Sequence, residues 1–181
     1  MTIEQFIALS VGEWQSMRSG HSLAFRQFEQ ILSFIKIEQI DPADPRILKM
    51  LRSEKQQRSE HTSPFSITWE VDTEWSEKPR DGEASGCSIF VPIPTNKCEG
   101  IMIRSSGYLE KIKVISSYKL IDQKTLILKT KYQNSTAEEK IWFVSDCVRC
   151  RSSIVKTSKE SGIVQISFAS EVKSNISRGN N

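Results

Sequence analysis

Cysteine is scarce. The 181 residues hold only Cys87, Cys98, Cys147 and Cys150, too few and too unevenly spaced to staple a domain of this length with disulfides. Reduced, part-buried thiols are expected instead. Cys147 and Cys150 have C-x-x-C spacing, but no second pair and no nearby histidine completes a four-ligand zinc site, so no metal is expected. Long apolar runs are missing too: none approaches the ~20 residues that span a bilayer. The N-terminus has no charged head followed by an apolar core, and Glu4 with early patterning argues against a transit peptide. Charge of one sign is equally lacking, since 25 Lys and Arg stand against 22 Asp and Glu for a net +3. With no basic strip, nucleic acid is not an expected partner. Neither membrane nor nucleic-acid contact is predicted.

What remains is 38% apolar content, enough for one globular domain with a real core. That domain is expected over 1–174, with a polar tail over 175–181. Ile3, Phe6, Ile7 and Leu9 fit a short amphipathic helix ending near Gly12. Strand residues 31–40 run into Asp41-Pro42 and Asp44-Pro45, which break the strand and start a second helix through Ile47, Leu48 and Leu51. A polar loop is expected over 53–63.

From Pro64 the period is two, opening with Phe65, Ile67, Trp69 and Val71 against Ser66, Thr68, Glu70 and Asp72. Further strands are predicted over 88–93, 101–105, 111–121, 125–132, 139–145, 147–156 and 163–172. Turn signals stand at Asp122-Gln123, Asn134-Ser135 and Glu160-Ser161-Gly162. Short links favour an antiparallel meander, and about eight to ten such strands can close into a barrel around one small ligand. The fold is therefore read as mainly β: an antiparallel barrel of about eight to ten strands with a short N-terminal helix and one more. An open sandwich is the rival.

Two strand faces stand out. Trp14, Ser16 and Arg18 alternate, and so do Arg149, Arg151 and Ser153, placing aromatic and guanidinium groups where a barrel would ordinarily carry apolar side chains. Such a combination suits a flat anionic ligand. On the last strand Glu171 shares a face with Gln165, Ser167 and Ala169, while Val164, Ile166, Phe168 and Val172 take the other. The pattern alone leaves both an interior and a solvent-facing role open for Arg149, Arg151, Glu171 and Glu139.

Read in order, several segments together resemble the S-type phycobiliprotein chromophore lyases, the CpcS/CpeS family of cyanobacteria and phycobilin-containing algae. They are Trp14-Gln15-Ser16-Met17-Arg18 with His21 and Leu23-Ala24-Phe25, then Arg104 with Gly107-Tyr108-Leu109-Glu110-Lys111. They continue with Glu139-Lys140-Ile141-Trp142-Phe143, Val148-Arg149-Cys150-Arg151-Ser152-Ser153 and Ser167-Phe168-Ala169-Ser170-Glu171-Val172. The resemblance implies a lipocalin-like antiparallel β-barrel of about ten strands that binds an open-chain bilin, phycocyanobilin or phycoerythrobilin. It also implies delivery of that bilin to a cysteine of a phycobiliprotein apo-subunit as a thioether. The bilin is substrate, and no cofactor is implied. The cell compartment would be the cyanobacterial cytoplasm or, in an alga, the plastid stroma. A homodimer is compatible with an exposed barrel wall.

A bilin offers two propionates, a conjugated face and a row of pyrrolic nitrogens. With the resemblance, Arg149 and Arg151 become propionate clamps, while Glu171 and Glu139 become candidates to bind protonated pyrroles and favour the electrophilic bilin. Catalytic roles are thus expected for Glu171, Glu139 and Arg149, and substrate contacts for Arg18, Trp69, Trp75, Arg149, Arg151 and Ser153. Arg18 has a second reading as a cap over Trp14, and Trp69 and Trp75 have a second reading as core. Trp14 and Trp142 are read as barrel packing, and His21 as a hydrogen-bonded structural residue. The alternative function is a non-enzymatic lipocalin-like carrier of a bilin or another hydrophobic small molecule.

Overall fold

In a computed structural model the described residues are 1–53, 62–73, 84–105, 114–157 and 162–174. Trp75, the Gly107–Lys111 segment, most of the 53–63 loop and the polar tail lie outside them. The chain begins with α1 (Ile3–Ser10), capped by Thr2, whose hydroxyl accepts from the Gln5 amide while the Gln5 side chain accepts from the Thr2 amide. β1 (Gly12–Ser22) and β2 (Gln27–Gln39) follow. Next comes α2 (Pro45–Ser53), where Asp44 caps the helix and Pro45 takes the first position, which needs no amide.

Eight more strands complete the chain: β3 (Phe65–Val71), β4 (Ser85–Pro94), β5 (Glu99–Arg104), β6 (Val114–Ile121), β7 (Thr125–Lys131), β8 (Ser135–Ser145), β9 (Val148–Thr157) and β10 (Ile163–Lys173). Each pairs antiparallel with its sequence neighbour, and β10 returns to β1, so the ten strands form a closed barrel. Closure removes every sheet edge and excludes the open sandwich. The observed strands run longer than expected at several starts. β2 begins at Gln27, and β8 begins inside the expected Asn134-Ser135 turn because Ser135 and Thr136 pair with Thr157 and Lys156. The Leu23-Ala24-Phe25 run is a turn rather than strand, with Phe25 71% exposed.

The barrel is filled unevenly. At one end α1 inserts Ile3, Phe6 and Ile7 among Trp14, Ile35, Ile37, Phe65, Phe90, Met102, Tyr118, Leu120, Leu126, Leu128 and Phe143. Phe6 meets Phe143 edge-on at 5.1 Å, and the Trp14 indole donates to the Ser10 carbonyl at 2.8 Å, tying strand to helix. α2 packs outside the wall, with Ile47, Met50 and Leu51 on Val91, Ile93 and Ile103. Beyond the plug, the inward positions of β1, β8, β9 and β10 turn polar. On β10 Phe168 and Val172 point outward, 46% and 52% exposed.

Candidate functional site

Strand register determines which side chains share the polar half. Ser16 stands opposite Glu171, and Arg18 opposite Ala169, across β1 and β10. Glu171 stands opposite Arg149, and Ser167 opposite Ser153, across β10 and β9. Ser153 in turn faces Glu139 on β8. Because side chains alternate across a strand, these residues all point into the barrel. Arg151, Ser153, Ser167 and Gln165 nonetheless remain half-buried, whereas the inward residues near α1 are sealed. These half-buried groups lie between the α1 plug and a second, smaller apolar cluster of Val114, Tyr132, Ala137 and Val155.

Glu171 is the centre of the first cluster and is fully buried. Arg149 Nε donates to its Oε2, Ser16 Oγ donates to its Oε1 at 3.3 Å, and Arg151 Nη2 lies 3.5 Å from the same oxygen. The Arg149 guanidinium also stacks over Trp14, 4.5 Å from the ring centre. Burial pushes the Glu171 carboxyl up. The charges of Arg151 and Arg149, with hydrogen bonds from Arg149 and Ser16, outweigh that and hold it below the usual carboxylate value. Arg149 is drawn down from its ordinary value by burial, opposed by Glu171 and assisted by the like charge of Arg151. A guanidinium starts so high that it keeps its proton.

A second cluster crosses the barrel. Arg104 on β5 places Nη2 3.4 Å from Oε2 of Glu139 on β8, and its guanidinium lies 5.4 Å from the centre of Phe90, which stacks on Phe65. Arg18 pairs with Glu29 at 3.0 Å, an arrangement Gly20 permits because any side chain there would meet Glu29. Across the polar half, Arg18, Arg104, Arg149 and Arg151 face Glu29, Glu139 and Glu171, one cation more than carboxylates among the described residues. Trp69 is half-buried and inward on β3, its ring lying over Gly86, where a β-carbon would collide with it.

The structure thus brings Arg149, Arg151, Ser153, Glu171 and Glu139 to one interior, with Arg18 and Trp69 on its walls. Trp75 lies outside the described residues. Several expectations are corrected. Arg18 does not cap Trp14, because Glu29 engages its guanidinium and Arg149 and Lys173 occupy the indole. Trp142 is not barrel filling: it points outward, between Phe168 and Lys140. His21 is exposed and rests against Phe28 at 4.8 Å on the outer wall. Cys87, Cys98 and Cys147 are exposed rather than part-buried, since they lie on outer faces or turns, while Cys150 is half-buried and burial raises its thiol. Ser16 and Arg104 were not singled out as site residues. The alternation with Trp14 and Arg18 carried the signal for Ser16; Arg104 stands among the segments that carry the resemblance, and its contact with Glu139 gives it a place in the site. Two clefts of about 470 and 790 Å³ flank α1 at the plugged end, and neither is lined by these interior ion pairs.

The CpeS-like protein family matches residues 2–174. Chromophore lyase CpcS/CpeS 3 of Trichodesmium erythraeum is 37% identical over 176 residues, covering 96% of this chain and all of that one. The putative phycoerythrobilin lyase CpeS of Microchaete diplosiphon is 37% identical, over 87% of this chain and 71% of its own. The phycocyanobilin lyase subunit CpcS of a Picosynechococcus is 31% identical, over 84% and 77%. Among solved structures, the S-type phycobiliprotein lyase CpeS of Guillardia theta superposes with a TM-score of 0.81 at 28% identity, covering 97% of this chain and 94% of the other. With nearly its whole length matched and the same barrel, this chain belongs to the CpeS-like family.

Proposed function

We propose that this protein is a bilin lyase, which holds phycocyanobilin or phycoerythrobilin in the polar half of the barrel and attaches it to a cysteine of a phycobiliprotein apo-subunit. The observation that supports it most is the interior of Arg149, Arg151, Glu171, Glu139 and Arg104 in a barrel sealed at the other end. A lipid carrier has no use for desolvated ion pairs, which are costly to bury. A dicarboxylate with protonatable nitrogens has a use for each.

In this reading Arg151 is the accessible cation of the first cluster, with 31% of its side chain exposed, and it grips a propionate. Arg18 and Ser153 assist from neighbouring strands, and Trp69 stacks on the conjugated face. Glu139 retains access, at 15%, and serves the pyrrole nitrogens directly. Glu171 holds Arg149 and Arg151 in place, and its carboxylate turns toward the pyrroles once Arg151 has transferred to the propionate. Protonated bilin is the better electrophile: the acceptor sulfur bonds to the ethylidene carbon, the double-bond electrons shift into the ring, and the thiol proton ends on the adjacent ring carbon. Nothing leaves. The setting would be the cytoplasm of a cyanobacterium or a plastid stroma.

The test mixes the purified chain with each bilin and an apo-subunit, following thioether product by visible absorbance and mass. Product forming faster and as a single isomer supports the reading. Product forming no faster than without the chain refutes it.

A further inference from the structure

Arg104 is buried, with 8% of its side chain exposed, and its hydrogen-bonding is incomplete. A guanidinium carries five N–H donors. Among the described residues its one ion pair is the 3.4 Å contact from Nη2 to Glu139, and Nε is buried without any partner. Arg149, equally buried, spends its Nε on Glu171. A buried donor left unmet costs free energy, so such a group in a native interior needs an explanation. Nε and the adjacent Nη2 point the same way on a guanidinium and form a fork that matches a carboxylate.

The position of Arg104 says which carboxylate. Its partner Glu139 stands opposite Ser153 on β9, two residues from Arg151. Along a strand that is one inward step, roughly 7 Å. Arg104 on Glu139 and Arg151 on Glu171 therefore approach the same polar interior from separate strands, β5 and β9, and among the described residues they belong to a set of four arginines facing three carboxylates. We propose that Arg104 is a second propionate-binding residue, so that the cavity reads its ligand as a dicarboxylate, one carboxylate on Arg151 and the other on the Nε face of Arg104. The inference rests on the bilin-binding reading above. Phe90, behind the guanidinium, keeps the side chain on the wall until a ligand oxygen draws it inward.

The experiment titrates the chain with a bilin bearing free propionates and with its dimethyl ester, by visible absorbance. Arg104→Gln and Arg104→Lys should weaken the diacid by about 10- to 100-fold, and leave the diester within roughly threefold on the same scale. In the parent protein the Arg104 Nε–H resonance should move on adding diacid and stay in place with diester, a readout that needs no variant. The proposal is overturned if the variants keep the parent affinity for the diacid, if they lose both ligands by the same factor, or if the resonance does not respond. A parent chain that binds neither form overturns the bilin-binding reading as well.

Discussion

Replacing Glu171 with glutamine removes one charge and almost no volume. Glu171 is fully buried and Arg149 is 6% exposed, so the change leaves a guanidinium in the barrel with only the Trp14 ring and a neutral amide against it. Removing one partner of a buried pair costs about 3–5 kcal/mol. The glutamine oxygen still accepts from Arg149 and Ser16, which sets the expectation near ~3 kcal/mol. That is a large share of the roughly 5–15 kcal/mol that holds a domain folded. In urea the midpoint should fall by about 1–2 M. Replacing both Arg149 and Glu171 with methionine removes the desolvation cost along with the attraction, and should return stability to within about 1 kcal/mol of the parent or above it while abolishing bilin transfer. The sign with pH follows from the depressed folded-state value of Glu171. Its contribution is complete above the unfolded carboxylate value of about 4.3, and is lost as pH falls through the lower folded value. The glutamine variant should lack that component of acid destabilisation. A Glu171→Gln protein within about 1 kcal/mol of the parent would refute the claim that the ion pair is dry and mutually dependent.

Gly86→Ala places a methyl against the Trp69 ring. It should cost about 1–3 kcal/mol through overpacking, alter the near-ultraviolet circular dichroism and weaken bilin binding. Tyr118 is buried with no partner for its hydroxyl among the described residues, and burial, with Glu4 adding, pushes its phenol up to about 12. Tyr118→Phe should therefore be neutral or stabilising by up to about 1 kcal/mol in urea; a loss of more than that would mean the hydroxyl is paired. Replacing Cys87, Cys98, Cys147 and Cys150 together with serine should leave transfer to the apo-subunit intact under reducing conditions. Abolished transfer by a folded, bilin-binding variant would show that a thiol of this chain takes part.

The ten strands were legible because period-two alternation and turn residues punctuate nearly the whole chain after Pro64. Strand starts were less so: Asn134-Ser135 has turn chemistry, yet Ser135 already pairs with Thr157. Alternation also separates two faces without saying which one is inside. On β10 the apolar residues Ile166, Phe168 and Val172 take the outer face and Glu171 is sealed within, while a register irregularity before Gln165 turns Val164 onto the interior cluster of Val155 and Ala137, an arrangement that composition and spacing do not encode. The Arg149, Arg151 and Glu171 cluster was reached through resemblance as much as pattern. Arg104 with Glu139 joins β5 to β8 across the barrel, and Trp69 with Gly86 is a register pairing of β3 with β4, so neither pairing could be read from local periodicity. Trp142 was misjudged for the same reason: an aromatic in a strand packs equally well on either wall.

The account stands on reversible occupation of the polar half of the barrel by a bilin. The direct measurement is titration of the chain with phycocyanobilin, followed by visible absorbance and by the mass of the protein before and after denaturation. The account predicts a saturable change in the visible band that reverts to the free bilin on unfolding, with the protein mass unchanged. An unaltered spectrum, or a protein that has gained the mass of one bilin, would contradict it.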